Sequence, residues 1–278
     1  MIKQITKLKF ILINMFKLLI LLPFIFFCEK IYAKENIITI ASTTSTHDTG
    51  LLKTINKEFT KKFNIKTNVI SLGTGQAIRI AKDGNVEILL VHHTPSELAF
   101  MNKGYGKLRY DLMYNDFVLV GPNSDNKKCS SIEDKLKEIA NNKLNFISRA
   151  DDSGTHKKET ELWHKVNLNH LNFKSWYVKN GQGMGSTLLM ANEKKAYTLT
   201  DRATWVTYKK KENLKIICEN KPPLLNQYSI IAVNPKINGE TNYKRAKKYI
   251  KWILSSEGKK LINNYKVKNV QLFHFNNK

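Results

Sequence analysis

Acidic side chains are scarce in this 278-residue chain: 23 Asp and Glu stand against 46 Lys and Arg, a formal charge of +23. The basic residues are spread along the whole length, and few of them are Arg. Nucleic-acid binding calls for clustered Arg with interleaved aromatics, so no nucleic-acid partner is expected. The charge reads as a solvated lysine surface that steers small anions from a distance. Cysteine is rarer still, with three residues and no C-x-x-C spacing, which gives no support to a zinc or redox motif. Paired carboxylates and His-Glu metal patterns are missing too, so neither a metal nor a cofactor is expected. Repeats and low-complexity segments are absent.

Long apolar runs are lacking as well. Leu18 to Cys28 falls short of the roughly 20 residues that a membrane span needs. It follows Lys3, Lys7, Lys9 and Lys17 and precedes Ile31-Tyr32-Ala33. A basic start, a short apolar core and a small residue are the order of a secretory signal peptide, here residues 1–33 with cleavage after Ala33. Bulky Phe26 and Phe27 argue against a lipid anchor on Cys28. Cleavage removes five Lys and one Glu, leaving 245 residues with a charge of +19. That length suffices for one large or two small domains. Cys129 and Cys218 remain, and outside the cytoplasm they are able to pair, although spacing alone does not bring them together.

What is present is a recurring grammar of strand, hydroxyl- or glycine-rich turn, and helix. Ile37 to Ala41 leads into Ser42-Thr43-Thr44-Ser45-Thr46-His47-Asp48-Thr49-Gly50, and Leu51, Leu52, Ile55, Phe59 and Phe63 then recur at helical spacing. One helix cap needs one hydroxyl; this turn has six. Ile65 to Leu72 leads into Gly73-Thr74-Gly75, and Leu144 to Ile147 into Ser148-Arg149-Ala150-Asp151-Asp152-Ser153-Gly154-Thr155-His156. The Gly-Thr-Gly turn lacks the Lys of a P-loop and the third Gly of a dinucleotide fingerprint. Gly181-Gln182-Gly183-Met184-Gly185 lacks the acidic residue of a ribose contact, and close backbone packing is expected there. His92 and His93 point opposite ways from a strand end and read as structural or rim residues. Alternating strands and helices predict α/β layers with mostly parallel strands.

Ligands of open α/β sheets bind beyond the carboxyl ends of strands. The three turns therefore predict one site for a small oxyanion, with backbone N–H groups and hydroxyls as donors and Arg149 as the fixed cation. An ion pair from Arg149 to Asp151, Asp152 or Glu161 is the competing role. Ser153 and His156 stand three residues apart, without a visible orienter for a base, so binding without reaction is the simpler account.

The same residues resemble the substrate-binding proteins of tungstate ABC transporters. The resemblance is carried by Thr43-Thr44-Ser45-Thr46 with Gly50-Leu51-Leu52, Gly73-Thr74-Gly75-Gln76-Ala77, and Met113 to Val118 with Val120-Gly121-Pro122. It continues through Ser148-Arg149, Asp151 to Glu159, Trp176-Tyr177, Gly181 to Gly185, and Ala196 to Arg202. One departure is His93-Thr94-Pro95, where the family carries an acid at position 93. The resemblance implies a type II periplasmic binding protein fold, α/β, with two lobes and a two-segment hinge. Lobe 1 would take residues 34–115 and 228–278, and lobe 2 residues 116–227. It implies an exported, periplasmic or extracytoplasmic monomer, not an enzyme, that delivers tungstate to the permease and ATPase of an ABC importer. The implied contacts are Thr43, Thr44, Ser45, Thr74, Gly75, Arg149, Ser153, Gly154 and Thr155, with Arg149 favouring tungstate over molybdate. Phosphate- and molybdate-binding proteins share much of this pattern, and Asp151 or Asp152 would be the acceptor that hydrogen phosphate requires. A secreted phosphate-processing enzyme is the alternative of another class.

Overall fold

Strand alternation sets the architecture. The computed structural model describes residues 36–219 and 222–277, apart from the side chain of Ser45; the expected signal peptide lies outside the described residues. In chain order the elements begin with β1 (Ile37–Thr43), α1 (Thr44–Asp48), α2 (Leu51–Phe63), β2 (Lys66–Leu72), α3 (Thr74–Lys82), β3 (Ile88–Val91), α4 (Thr94–Asn102) and a long β4 (Gly106–Pro122). Next come α5 (Ile132–Asn141), β5 (Phe146–Ser148), α6 (Gly154–Lys165), β6 (Tyr177–Lys179), α7 (Met184–Lys194), β7 (Thr198–Asp201), α8 (Arg202–Thr207), β8 (Leu214–Cys218) and β9 (Leu225–Val233). Helices α9 (Pro235–Asn238), α10 (Glu240–Ile253) and α11 (Ser256–Asn263) precede the short strands β10 (Lys266–Val267), β11 (Val270–Gln271) and β12 (His274–Phe275). No described helix is long and apolar enough to cross a membrane.

In β3, Ile88 and Leu90 face a core with Leu51, Ile55, Phe59 and Tyr249, while Leu89 and Val91 face another with Ala77, Ile78 and Phe100. A strand apolar on both faces is a strand covered by helices on both sides. The helices obey the same logic: Leu51, Leu52, Ile55 and Phe59 of α2 are buried and the lysines between them face outward. The second half repeats the scheme, with Phe117 and Leu119 of β4 on one side and Val118 and Val120 on the other.

Strand β1 lies between β2 and β3 and is parallel to both; β5 and β6 are also parallel. The expectation of mostly parallel strands fails beyond these. β9 runs antiparallel to β3 and to the first part of β4, while β7 and β8 run antiparallel to its last part, Phe117 to Pro122. One 17-residue strand thus serves both sheet halves, and its neighbours must return along it. β4 and the chain entering β9 are the two crossings between the sheet halves, the arrangement expected of a type II periplasmic binding protein fold. Cys129 and Cys218 are joined in a disulfide that ties the segment before α5 to β8.

Candidate anion-binding site

Three strand ends lie side by side. Ser42 of β1 is in register with Ser71 of β2 and with Leu90 of β3. The residues that follow, Thr43, Gly73 and His92, are therefore neighbours at one edge. The hydroxyl-rich turn is partly helical: α1 occupies its middle, with Thr43 as N-cap. Not every hydroxyl there is available to a ligand. Ser42 Oγ donates to the Leu90 carbonyl and Thr49 Oγ1 to the Thr46 carbonyl; the Thr43 and Thr46 hydroxyls meet at 2.9 Å, which leaves one of their two protons free to donate. Thr44 is half-buried. Thr74 opens α3, and its Oγ1 is buried with no hydrogen-bond partner among the described residues; the same holds for Ser71 Oγ. Buried hydroxyls are nearly always paired, so an orphan of this kind needs a reason.

The opposite wall is the turn that leaves β5. Ala150 and Asp152 are both left-handed, with φ of 48° and 58°. These two reversals fold the loop back, so that Ser153 caps α6 by accepting the His156 N–H on its Oγ. An alanine at such an angle carries steric strain of about 1 kcal/mol that glycine avoids. Ala150→Gly is therefore expected to stabilise the fold by about 0.5 kcal/mol, the relief being partly offset by unfolded-state entropy; urea denaturation measures it. Arg149 is 5% exposed, and its Nε and Nη2 lie 2.9 and 2.7 Å from Asp151 Oδ2. Of the three acids considered for that pair, Asp151 is the partner; Asp152 bonds Lys157, and Glu161 bonds Lys158. Behind the turn, buried Glu159 accepts from Tyr177 Oη, Trp163 Nε1 and the Arg149 backbone N–H. Burial pushes its carboxyl up to about 7.

The walls touch. The Gly75 N–H lies 3.4 Å from the Asp152 carbonyl oxygen. A Cβ on Gly73 would meet Ser153 Cα at 3.7 Å, one on Gly75 would meet Asp152 Oδ2 at 1.7 Å, and one on Gly154 would meet His92 Cε1 at 2.5 Å. Gly75 and Gly154 thus contribute by having no side chain. Thr155 is buried beside them, and Ser153 is 3% exposed. Ser45's side chain lies outside the described atoms.

His92, read from the sequence as a structural or rim residue, is buried at the meeting of the two walls. Its ring sits against Gly154, 4.6 Å from the Tyr228 ring, and its Nδ1 lies 2.8 Å from Asn226 Oδ1. A carbonyl oxygen only accepts, so Nδ1 carries the proton. Asn226 Nδ2 in turn donates to Asn115 Oδ1, and these two asparagines face each other where β9 joins β4. Burial, with repulsion from Arg149 adding to it, holds the His92 pKa down at about 3. Arg149 also acts on buried Asp201, whose carboxyl burial pushes up and whose two oxygens accept from Thr204 N–H and Oγ1.

His93 stands where an acid was expected and caps α4: its Nδ1 accepts the Ser96 N–H at the helix start. That requires a neutral ring, and burial followed by Lys157 lowers its pKa to about 4. Below pH 6.5 the unfolded chain gains a proton that the folded chain refuses until about pH 4, so acid removes stability across that window. His93→Asn keeps a capping oxygen and is expected to lose less stability than the parent between pH 7.5 and pH 4.5 in urea titrations.

The Gly181–Gly185 run does not pack closely: a Cβ on Gly181, Gly183 or Gly185 would meet nothing within 4 Å. The expectation of close approach is corrected; Gly181 instead serves a left-handed turn at φ 69°, where its N–H donates to the Arg149 carbonyl. The Ser153–His156 pair is not a nucleophile and base either. His156 Nδ1 accepts the Asp152 N–H, and Ser153 Oγ is occupied as a cap.

A model of the PBP superfamily domain (PBP-like 2) matches residues 32–257. The tungstate-binding protein TupA of Peptoclostridium acidaminophilum is 46% identical over 242 residues, which are 85% of this chain and 84% of that protein. The solved tungstate-binding protein TupA of Desulfovibrio alaskensis G20 is 38% identical, with a TM-score of 0.76 over 87% of this chain and 99% of its own. The tungstate ABC transporter structure from Geobacter sulfurreducens is 42% identical, with a TM-score of 0.75 over 82% and 98%. The chain belongs to the PBP superfamily and, within it, to the family of the TupA proteins.

Proposed function

We propose that this protein is the extracytoplasmic solute-binding component of an ABC importer and holds one tungstate dianion between its lobes. The observation that carries the reading is the buried, unpartnered Thr74 hydroxyl on the wall that meets the Arg149 turn. Thr43, Thr44, Ser45 and Thr74 would donate from one lobe, with Arg149, Ser153 and Thr155 from the other; Gly75 and Gly154 let the walls approach. A capping hydroxyl such as that of Ser153 keeps its own proton to donate. No cofactor is required, and the permease and ATPase of the importer would be the partners of a monomer.

The charge balance supports tungstate over phosphate. Tungstate is fully deprotonated at neutral pH and needs only donors, whereas hydrogen phosphate also needs an acceptor. Asp151 accepts from Ser153 N–H and Arg149, Asp152 from Lys157, and Asp201 from Thr204. Each of these carboxylates is already engaged inside the protein. Titrating the mature protein with tungstate under intrinsic-fluorescence detection tests the reading. One saturable site of submicromolar affinity is expected, and no response to tungstate overturns it.

A further inference from the structure

Asp151 is consumed by Arg149, but Asp152 has no task inside the anion site, and its position is costly. It is held left-handed at φ 58° and leans across the cleft mouth onto Gly75. Its backbone oxygen receives the Gly75 N–H, one carboxylate oxygen bonds Lys157 of the following helix α6, and the other lies 3.7 Å from Arg79 Nη1 of α3. Around this contact is a recess of about 230 Å³ at the rim, where Lys82 and Lys103 join Arg79 and Lys157 and Asp152 is the one acid among the lining residues. Two of these cations meet the carboxylate, Lys157 from its own wall and Arg79 from the facing one, while Lys82 and Lys103 line the recess.

We propose that Asp152 is the closing latch of the cleft, engaging Arg79 and Gly75 only when the lobes meet and thereby slowing release of the captured anion. Before closure the rim is purely basic on the α3 side and attracts anions. On closure Asp152 neutralises part of that charge and adds an interlobe ion pair and a backbone contact. The latch rests on the reading that this cleft binds tungstate. It acts on the rate of leaving rather than on recognition, because Asp152 makes none of the proposed contacts to the anion.

An exposed pair of this kind corresponds to about a two- to fivefold change in rate. Stopped-flow fluorescence with tungstate on the mature protein separates association from dissociation. Asp152→Asn keeps a side chain that tolerates the left-handed backbone, and Arg79→Gln removes the facing charge. Each is expected to raise the dissociation rate two- to fivefold, and the double variant no further than the larger single effect, since both break one contact. Gly75→Ala, which displaces the Asp152 carboxylate sterically, should also release faster. Single variants that dissociate at the parent's rate, or effects that multiply in the double variant, overturn the latch while leaving tungstate binding intact. A parent that shows no tungstate signal removes the reading of the site and the latch with it.

Discussion

Arg149→Ala is expected to weaken tungstate binding by at least about 1.5–3 kcal/mol, a loss of roughly 10- to 150-fold, as for a hydrogen bond to a charged partner. The surroundings push the effect upward. Arg149 is almost completely buried and is the counter-ion of Asp151, whose carboxylate is itself mostly buried. Deleting the guanidinium leaves that carboxylate uncompensated beside the place where a dianion must sit, and an orphaned buried charge costs several kcal/mol on its own. The double change Arg149→Ala with Asp151→Asn is therefore expected to bind better than Arg149→Ala alone. Arg149→Lys retains the charge but loses the planar fork that grips Asp151 through Nε and Nη2 while still facing the anion, and should fall between parent and alanine variant. Calorimetric titration reads all four proteins. Parent-like affinity in Arg149→Ala would reduce Arg149 to a structural ion-pair member.

Gly154→Ala should be nearly as damaging, for a steric reason. The added methyl would lie 2.5 to 3.0 Å from three atoms of the His92 ring. That ring has little room to retreat: the Tyr228 ring lies 4.6 Å from it and Asn226 holds Nδ1, with Asn115 behind Asn226. Overpacking a well-filled site costs about 1–3 kcal/mol. Here the cost falls on the state in which the two walls meet, so tungstate affinity is expected to drop roughly 5- to 150-fold. The free protein has the option of separating the walls, so its thermal stability should change less than its affinity. An affinity equal to the parent's would show that His92 and Gly154 are not pressed together in the bound form.

The candidate turns were legible where chemistry and local pattern coincide. Thr74, Arg149 and Ser153 stand at strand-to-helix turns, and a turn with more hydroxyls than one cap needs is visible in any sequence. The α/β layering followed from the same alternation, as in Leu51, Leu52, Ile55 and Phe59 on α2. What escaped depends on long-range placement. Asp151 and Asp152 are adjacent and chemically identical, and only the left-handed angles at 150 and 152 send one to Arg149 and the other toward Arg79. His92 gains its meaning from Gly154, Asn226 and Tyr228, all distant in sequence. Glu159 backs the Arg149 turn from a helical position that reads as an ordinary amphipathic one. Antiparallel pairing of β4 and β9 was hidden because a strand's apolar pattern does not encode its direction. The roles of Gly181 to Gly185 were misjudged because a glycine's reason for being there, a left-handed turn or a close approach, is set by backbone angles.

The central claim is that the cleft offers donors, with every nearby carboxylate already engaged, so that a fully deprotonated dianion is preferred. Its most direct test is paired titration calorimetry of the mature protein with tungstate and with phosphate in one buffer near neutral pH. The account predicts one tungstate per chain and a far weaker phosphate isotherm. Phosphate binding as tight as tungstate, or tighter, would contradict it.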